Sequence, residues 1–160
     1  MKSLRTGKLG WILSGLVLGS LTIAPPTPAL SIPIQAGSPA TEQHFQRGVE
    51  AYNSSDYSAA IAAWEKALAG FRAEDDREGE TDALNNLGLA YSALGQYQRA
   101  VGFYEQALAL VRAAGDRGGE ASPGGNLGIA YYALGDYPMA IVFHLLALEV
   151  ARLGGDRRSV

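Results

Sequence analysis

Two histidines and one run of carboxylates are the side chains of this sequence that could support acid–base catalysis or bind a metal ion. His44 and His144 lie far apart, and neither has a serine beside it in the sequence that it could activate as a nucleophile. The carboxylates between residues 74 and 82 lack the alternating ligand positions and the glycine of a calcium loop. We therefore predict a protein without a catalytic, metal or cofactor site, in which His144 is a packing residue.

The composition narrows the class of protein further. The 160 residues are 48% hydrophobic and 18% charged, and their formal net charge is −3. These values favour a folded chain over a disordered one, and they disfavour a strongly basic binder of nucleic acid. The absence of cysteine excludes disulfide bonds, thiolate metal sites and cysteine nucleophiles. We expect no nucleic-acid partner.

The amino-terminal segment has the three-part pattern of a secretory signal peptide. Basic side chains within residues 2–8 precede an uncharged stretch, residues 9–24, and a proline-containing segment, residues 25–31. The uncharged stretch is short and diluted by glycine, which disfavours a membrane-spanning helix. We predict cleavage after Ser31, with Ala29 and Ala36 as alternatives, and export to the periplasm or the extracellular space. Only an uncleaved signal would anchor the chain to a membrane.

Beyond residue 40 the chain is one unit repeated three times. A shift of forty residues makes residues 81–118 and 121–158 identical at 17 of 38 positions, and residues 41–78 match 81–118 at 12 of 38. The recurring columns include Gly48/Gly88/Gly128, Tyr57/Tyr97/Tyr137, Ala60/Ala100/Ala140, Ala67/Ala107/Ala147 and Arg72/Arg112/Arg152. Self-similarity at a fixed period of this length is typical of stacked repeat proteins.

Each unit has the hydrophobic periodicity of two helices joined by a tight turn. Gly95 and Gly135 suit the left-handed position that ends a first helix, and Asp56 and Asp136 suit the N-cap of a second helix. The glycine and alanine columns are expected to let the two helices approach each other closely. Large side chains should then fill the remaining gaps, and these are Trp64, Tyr91, Tyr97, Tyr104 and Tyr137.

These columns resemble the tetratricopeptide repeat (TPR) family. The second unit carries the family pattern at Leu87, Gly88, Tyr91, Ala100, Tyr104 and Ala107. The third carries it at Leu127, Gly128, Tyr131, Ala140 and Ala147, with His144 in the aromatic column, and the first matches more loosely at Gly48, Ala60, Trp64 and Ala67. The period of forty exceeds the usual value of about 34. It is similar to that of long-period bacterial arrays, some of which carry a caspase-like CHAT domain.

The resemblance implies an all-α fold, a right-handed superhelical solenoid of three helix-turn-helix repeats preceded by the signal peptide. The repeats should occupy about residues 41–74, 81–114 and 121–154 of a folded domain, residues 41–160. Residues 32–40 contain two prolines and no periodic apolar face, so they are predicted to form a flexible leader.

Two departures from the repeat pattern carry expectations of their own. Ser122 and Pro123 stand where the second unit has helix-forming residues, which predicts a shortened first helix with Ser122 as N-cap and Pro123 at the first helical position. The last helix is apolar nearly all round between residues 139 and 150. We expect its outer face to be buried against a second copy, a separate protein or a further carboxy-terminal domain.

In TPR arrays the first helices line a concave groove, so the resemblance also implies a binding surface. The groove residues expected here are Gln46, Tyr52, Asp82, Asn85, Asn86, Leu89, Asn126, Ile129 and Tyr132. Asn86 and Asn126 are equivalent under the forty-residue shift. Their amides are expected either to bond the backbone of an extended peptide or to bond between neighbouring helices. The carboxylates near the groove favour a neutral to basic partner.

Two functions follow from the sequence. The first is an exported scaffold that binds a protein or an extended peptide through its groove and its last helix. The alternative is a sensing or docking array belonging to a larger hydrolytic protein of the CHAT peptidase type.

Overall fold

A computed structural model describes residues 38–156, which form six α-helices and, within that range, no β-strand. The helices are α1 (Pro39–Asn53), α2 (Tyr57–Ala73), α3 (Arg77–Ala93), α4 (Tyr97–Ala113), α5 (Ala121–Ala133) and α6 (Tyr137–Asp156). Each helix packs against its neighbours in sequence, and α3 also contacts α5. The three helix pairs form a TPR-like solenoid, which confirms the predicted all-α fold. The predicted signal peptide, its cleavage site and most of the leader lie outside the described residues.

Within residues 38–156, no helix is long and apolar enough to span a membrane.

The turns between helices recur every twenty residues. The residues with positive φ, between 55° and 80°, are Ser55, Asp75, Gly95, Gly115 and Gly135. The residue after each donates its N–H to the carbonyl five positions earlier, as Gln96 does to Tyr91 at 2.9 Å, which closes a Schellman motif. Asp56 and Asp136 then accept the N–H groups of Ala59 and Met139 at the start of the next helix. The predicted roles of both glycines and both aspartates are confirmed.

A glycine beneath a ring holds the two helices of each unit together. Gly48 lies under Trp64, Gly88 under Tyr104 and Gly128 under His144. A methyl group added at any of the three would overlap the ring. Trp64 and Tyr104 are almost fully buried, while His144 lies over Gly128 and is exposed. Neighbouring α-helices can approach this closely only where one of them lacks a side chain.

Ion pairs at equivalent positions join successive units. Arg72 Nε lies 2.7 Å from Glu80 Oε1, and Arg112 Nε lies 2.9 Å from Glu120 Oε2. Each pair links the end of a second helix to the start of the next unit. The recurring arginine column therefore has a structural role across the junction.

The structure corrects the predicted start of α1. The helix begins at Pro39, two residues earlier than expected, because Ser38 Oγ accepts the N–H of Thr41 and proline fits the first helical position. The start is also bound to α2, since the Glu74 carboxylate accepts from the Ser38 N–H and the Thr41 hydroxyl.

The predicted N-cap of α5 is wrong, although the helix is shorter than α3, as expected. It begins at Ala121 with Glu120 at the N-cap position, and Ser122 instead faces Asn85 of α3. Pro123 is the third helical residue rather than the first. It is tolerated there because the first N–H groups of a helix have no partner inside the helix.

Tyr137 was expected to fill a gap and does not. The residue is 57% exposed, and its ring meets that of Tyr132 edge-on, with 5.5 Å between ring centroids. Tyr97, its equivalent, is half-buried and lies beside Leu134 in the turn of the following unit. Among the described residues, no such turn follows α6, so Tyr137 faces solvent.

The glycine beneath Tyr104 provides a stability test with a matched control. Gly88→Ala should lower the free energy of unfolding by about 1–3 kcal/mol, because the new methyl group overlaps the ring. Gly102→Ala, at a helical position where an added methyl meets nothing within 4 Å, should raise it by about 0.5–1 kcal/mol. Urea unfolding followed by circular dichroism measures both. Equal effects of the two substitutions would contradict the close-contact interpretation.

Candidate functional site

Two pockets occupy equivalent places at the two junctions between units. The pocket at the second junction has a volume of about 540 Å³, and the pocket at the first junction has about 250 Å³. The first is lined by Glu42, Phe45, Phe71, Asp76, Glu78, Gly79 and Asp82. Six of these positions, shifted by forty residues, recur in the second pocket as Asp82, Asn85, Val111, Asp116, Gly119 and Ser122. The repeat therefore creates the same pocket at both junctions, and the pocket at the second junction is the larger of the two.

Two substitutions explain why the second pocket is the larger one. At the first junction the rings of Phe45 and Phe71 meet edge-on, with 5.9 Å between their centroids, and fill the space. Asn85 and Val111 replace them at the second junction and leave the volume open. The late start of α5 adds to the opening, because this helix begins four residues after the position equivalent to the start of α3.

The pocket at the second junction combines an apolar floor with a polar rim. The floor is formed by Leu110, Val111 and Ala114 near the end of α4 and by Pro123 of α5. The rim consists of Arg77, Glu78, Thr81, Asp82, Asn85, Asp116, Gly119 and Ser122. Such a cavity suits an apolar side chain, with hydrogen-bonding groups around its mouth.

The rim is acidic. Arg77, its one basic residue, is turned towards Asp75 and Glu80, with N–O distances of 3.3 and 3.5 Å. Within the described part of the chain, no ion pair reaches Glu78, Asp82 or Asp116. Burial raises the pKa of the Asp82 carboxyl, and the neighbouring charges of Glu78 and Asp76 raise it further. A cation at the rim would relieve this repulsion.

Two of the predicted asparagines bond each other across the junction. Asn126 Nδ2 donates to Asn85 Oδ1 at 2.9 Å, and Asn85 Nδ2 donates to Ser122 Oγ at 3.3 Å. Asn126 is therefore engaged between helices, the second of the two roles considered for it. Asn86 is half-buried and has no hydrogen-bonding partner for its side chain among residues 38–156.

The structure does not bring the other predicted groove residues into this pocket. Gln46 bonds Glu42 at 2.7 Å on the surface of α1, and Tyr52 packs on the rings of Tyr57 and Trp64. Leu89 is half-buried against the core of the second and third units. Ile129 and Tyr132 are exposed, at 59% and 65%. Of the expected set, Asp82 and Asn85 line the cavity, and Asn126 contacts it through Asn85.

Sequence reasoning missed the floor of the pocket. Leu110, Val111 and Ala114 belong to a second helix, whereas groove residues were expected only on first helices. The sequence did contain a signal for this pocket. Forty residues after Phe45 and Phe71 stand the smaller residues Asn85 and Val111, which leave space between the units.

The described residues contain no group of three or more metal-ligating side chains that could hold an ion. Neither histidine lines any of the pockets described.

The ionised carboxylates of Asp82 and Glu74 should change the free energy of unfolding in opposite directions. The pKa of Asp82 is raised in the fold, so its charged form destabilises the protein above that pKa, and Asp82→Asn should stabilise it at neutral pH. The hydrogen bond from the Thr41 hydroxyl, followed by the bond from Ser38, lowers the pKa of Glu74. Glu74→Gln should therefore destabilise the protein at neutral pH.

Both effects should disappear in acid, where wild type and variant carry the same charge at these positions. The Asp82→Asn advantage should shrink as the pH falls through the raised pKa, and the Glu74→Gln loss should shrink as it falls through the lowered one. Urea unfolding as a function of pH measures this. Effects of the same sign for both variants would contradict the assignment.

The asparagine pair gives a third prediction. Asn126→Ala should lower the free energy of unfolding by about 0.5–1.5 kcal/mol, because it removes the bond to Asn85. Asn86→Ala should change it by less than about 0.5 kcal/mol. Thermal unfolding of both variants provides the comparison, and a larger loss for Asn86→Ala would show that the engaged asparagine has been misassigned.

Two solved structures illustrate the similarity of the fold to known proteins. The TPR domain of Arabidopsis FLU superposes with a TM-score of 0.67 at 22% identity, over 72% of this chain and 96% of that domain. BtubC (BKLC) from P. vanneervenii superposes with a TM-score of 0.65 at 25% identity, over 70% of this chain and 46% of its own length. No curated protein is detectably similar to the chain in sequence.

Family models agree with the fold. One model of the tetratricopeptide repeat matches residues 42–113, and a second model with the same description matches residues 125–158. Together they span more than half of the chain and all three helix pairs. The chain belongs to the tetratricopeptide repeat family.

Proposed function

We propose that this protein is a scaffold that binds a neutral to basic segment of a partner protein through the pocket at the second junction. The family supports a role in protein–protein interaction, and the pocket is the observation that carries the finer assignment. Its floor is apolar and wide enough for one large aliphatic or aromatic side chain, because Asn85 and Val111 have replaced two phenylalanines. The segment bound there would carry an apolar residue flanked by lysine or arginine.

The acidic rim supports the charge preference. Glu78, Asp82 and Asp116 surround the mouth, and the pKa of Asp82 is raised first by burial and then by the negative charges of Glu78 and Asp76. Lysine or arginine beside the anchoring side chain would supply that charge. Exposed pairs of this kind steer association and discriminate between partners more than they add affinity.

The remaining groove residues extend the proposed surface along the first helices. Asn86 has an amide available for the backbone of an extended segment, and Ile129 and Tyr132 offer exposed apolar area on α5. The apolar face of α6 is a second contact surface, because five of its aliphatic side chains are exposed.

Export belongs to the same proposal. The basic, uncharged and proline-containing segments at the amino terminus support delivery of the array to the periplasm or the extracellular space.

The alternative proposal is a docking array of a larger hydrolytic protein. The exposure of Ile141 and Leu148, 59% and 58%, supports it. Their equivalents in the preceding unit, Val101 and Leu108, are buried between units. A further unit packed on α6 would bury both.

Binding of synthetic peptides tests the proposed function. In a panel of short peptides with one central leucine flanked by lysine, glutamine or glutamate, the lysine peptide should bind best in fluorescence anisotropy. The double variant Glu78→Gln/Asp82→Asn should weaken its binding by roughly two- to fivefold per carboxylate removed. Glu50→Gln, an exposed carboxylate of α1 that lines neither junction pocket, should have no effect.

Filling the pocket is the complementary test. Val111→Phe places at the second junction the side chain that Phe71 has at the first, where it lies over Gly79 as the new ring would lie over Gly119. It should leave the helix content unchanged and weaken every peptide by about tenfold or more, since a leucine side chain loses its burial. Unchanged binding by this variant, or equal affinity for all three peptides, would refute the proposed function.

A further inference from the structure

The outer face of α6 carries a stripe of exposed aliphatic side chains. Ile141, Val142, Leu145, Leu148 and Leu153 are 59%, 56%, 59%, 58% and 42% exposed. Their spacing places them along one side of the helix. Monomeric proteins rarely leave a contiguous apolar surface of this kind open to water, so the stripe indicates a contact surface.

Part of the stripe belongs to columns that are buried at other junctions. Ile141 and Leu148 are equivalent to Val101 and Leu108 of α4, which are each 4% exposed. These two residues pack with Leu127 of α5 in the core of the second and third units. A following first helix would cover Ile141 and Leu148 in the same way.

The rest of the stripe requires a different explanation. Leu145 is equivalent to Glu65 and Glu105, which are both exposed. Glu105 accepts a hydrogen bond from the Tyr131 hydroxyl of α5 at 3.1 Å, and it remains exposed although α5 follows it. Val142 is equivalent to Ala62 and Gly102. A following unit of the same kind would touch the glutamate position only through a polar contact at its edge and would leave most of it exposed. Continuation of the array therefore does not account for leucine and valine there.

The opposite end of the array cannot provide the cover. The columns by which α3 packs on α2 contain Ala83, Leu84, Leu87 and Ala90, which are all at most 1% exposed. In α1 the same columns contain Gln43, His44, Arg47 and Glu50. This polar face of α1 would have to give up its hydration to meet the α6 stripe, which disfavours head-to-tail stacking of copies through α1 and α6.

A membrane surface is also a poor match. Helices that bind at a membrane interface carry several lysine or arginine residues beside their apolar face. Residues 137–153 of α6 contain one basic residue, Arg152, and it is accompanied by Glu149.

We propose that the α6 stripe is covered by the α6 stripe of a second copy of this chain, in a closed two-fold dimer. A two-fold contact requires a surface that complements itself, and this stripe is uncharged, with one acidic and one basic residue beside it that cancel. An axis near the middle of the stripe places Leu145 and Leu148 of one copy against the same pair of the other. The junction pocket, formed by α3, α4 and α5, stays open in both copies.

The oligomeric state of the purified full chain tests this proposal. Light scattering coupled to size exclusion should give twice the mass of the purified chain, which is 16.8 kDa when all 160 residues are present, at micromolar concentration. Leu145→Glu should give the monomer mass with unchanged helix content, because Glu65 and Glu105 hold the same position on α2 and α4. Leu94→Glu, the same change at a leucine 40% exposed in the turn after α3, should leave the dimer intact.

A cross-linking measurement separates the two-fold arrangement from other contacts. The chain has no cysteine, so Leu145→Cys introduces a single thiol. A short bismaleimide should join two copies of this variant and should not join two copies of Leu94→Cys. A wild-type chain of monomer mass, a Leu145→Glu variant of dimer mass, or equal cross-linking of the two cysteine variants would each overturn the proposal.

Discussion

The whole array depends on the contact between a glycine and the ring above it in each unit. Gly48 under Trp64, Gly88 under Tyr104 and Gly128 under His144 set how closely the two helices of a unit approach. That spacing aligns the end of every second helix with the start of the next unit, where Arg72 and Arg112 form their ion pairs. The junction pockets exist because this geometry is repeated, and their size depends on the side chains that the repeat leaves free to vary.

Much of the fold could be predicted because it obeys local rules that recur every forty residues. The helix pairs, the left-handed Gly95 and Gly135 and the cap at Asp56 each follow from residue type and position. The start of α5 could not be predicted as well, since Ser122 suits a cap but bonds Asn85 across the junction instead. The pocket could not be predicted from the recurring columns, because it depends on positions at which the units differ. It exists because two phenylalanine rings of the first junction are absent from the second.

Two surfaces of different chemistry result from one repeated unit. At the second junction, the carboxylates of Glu78 and Asp82 border an apolar floor, which favours a basic segment with an apolar anchor. On α6, Leu145 stands where the other two units have an exposed glutamate, so this face carries no charge. An uncharged face favours contact with the same face of a second copy. Because the two surfaces share no residue, a dimer would present two pockets to one partner, and modest affinity at each would suffice for tight binding.

Nuclear magnetic resonance of the labelled chain, titrated with the lysine-flanked leucine peptide, tests most directly the claim that the second junction is the binding site. The amide signals of Thr81, Asn85 and Val111 should shift together and saturably, while those of the equivalent first-junction residues, Thr41, Phe45 and Phe71, should stay in place. Equal shifts at both junctions, or shifts confined to α6, would contradict the account.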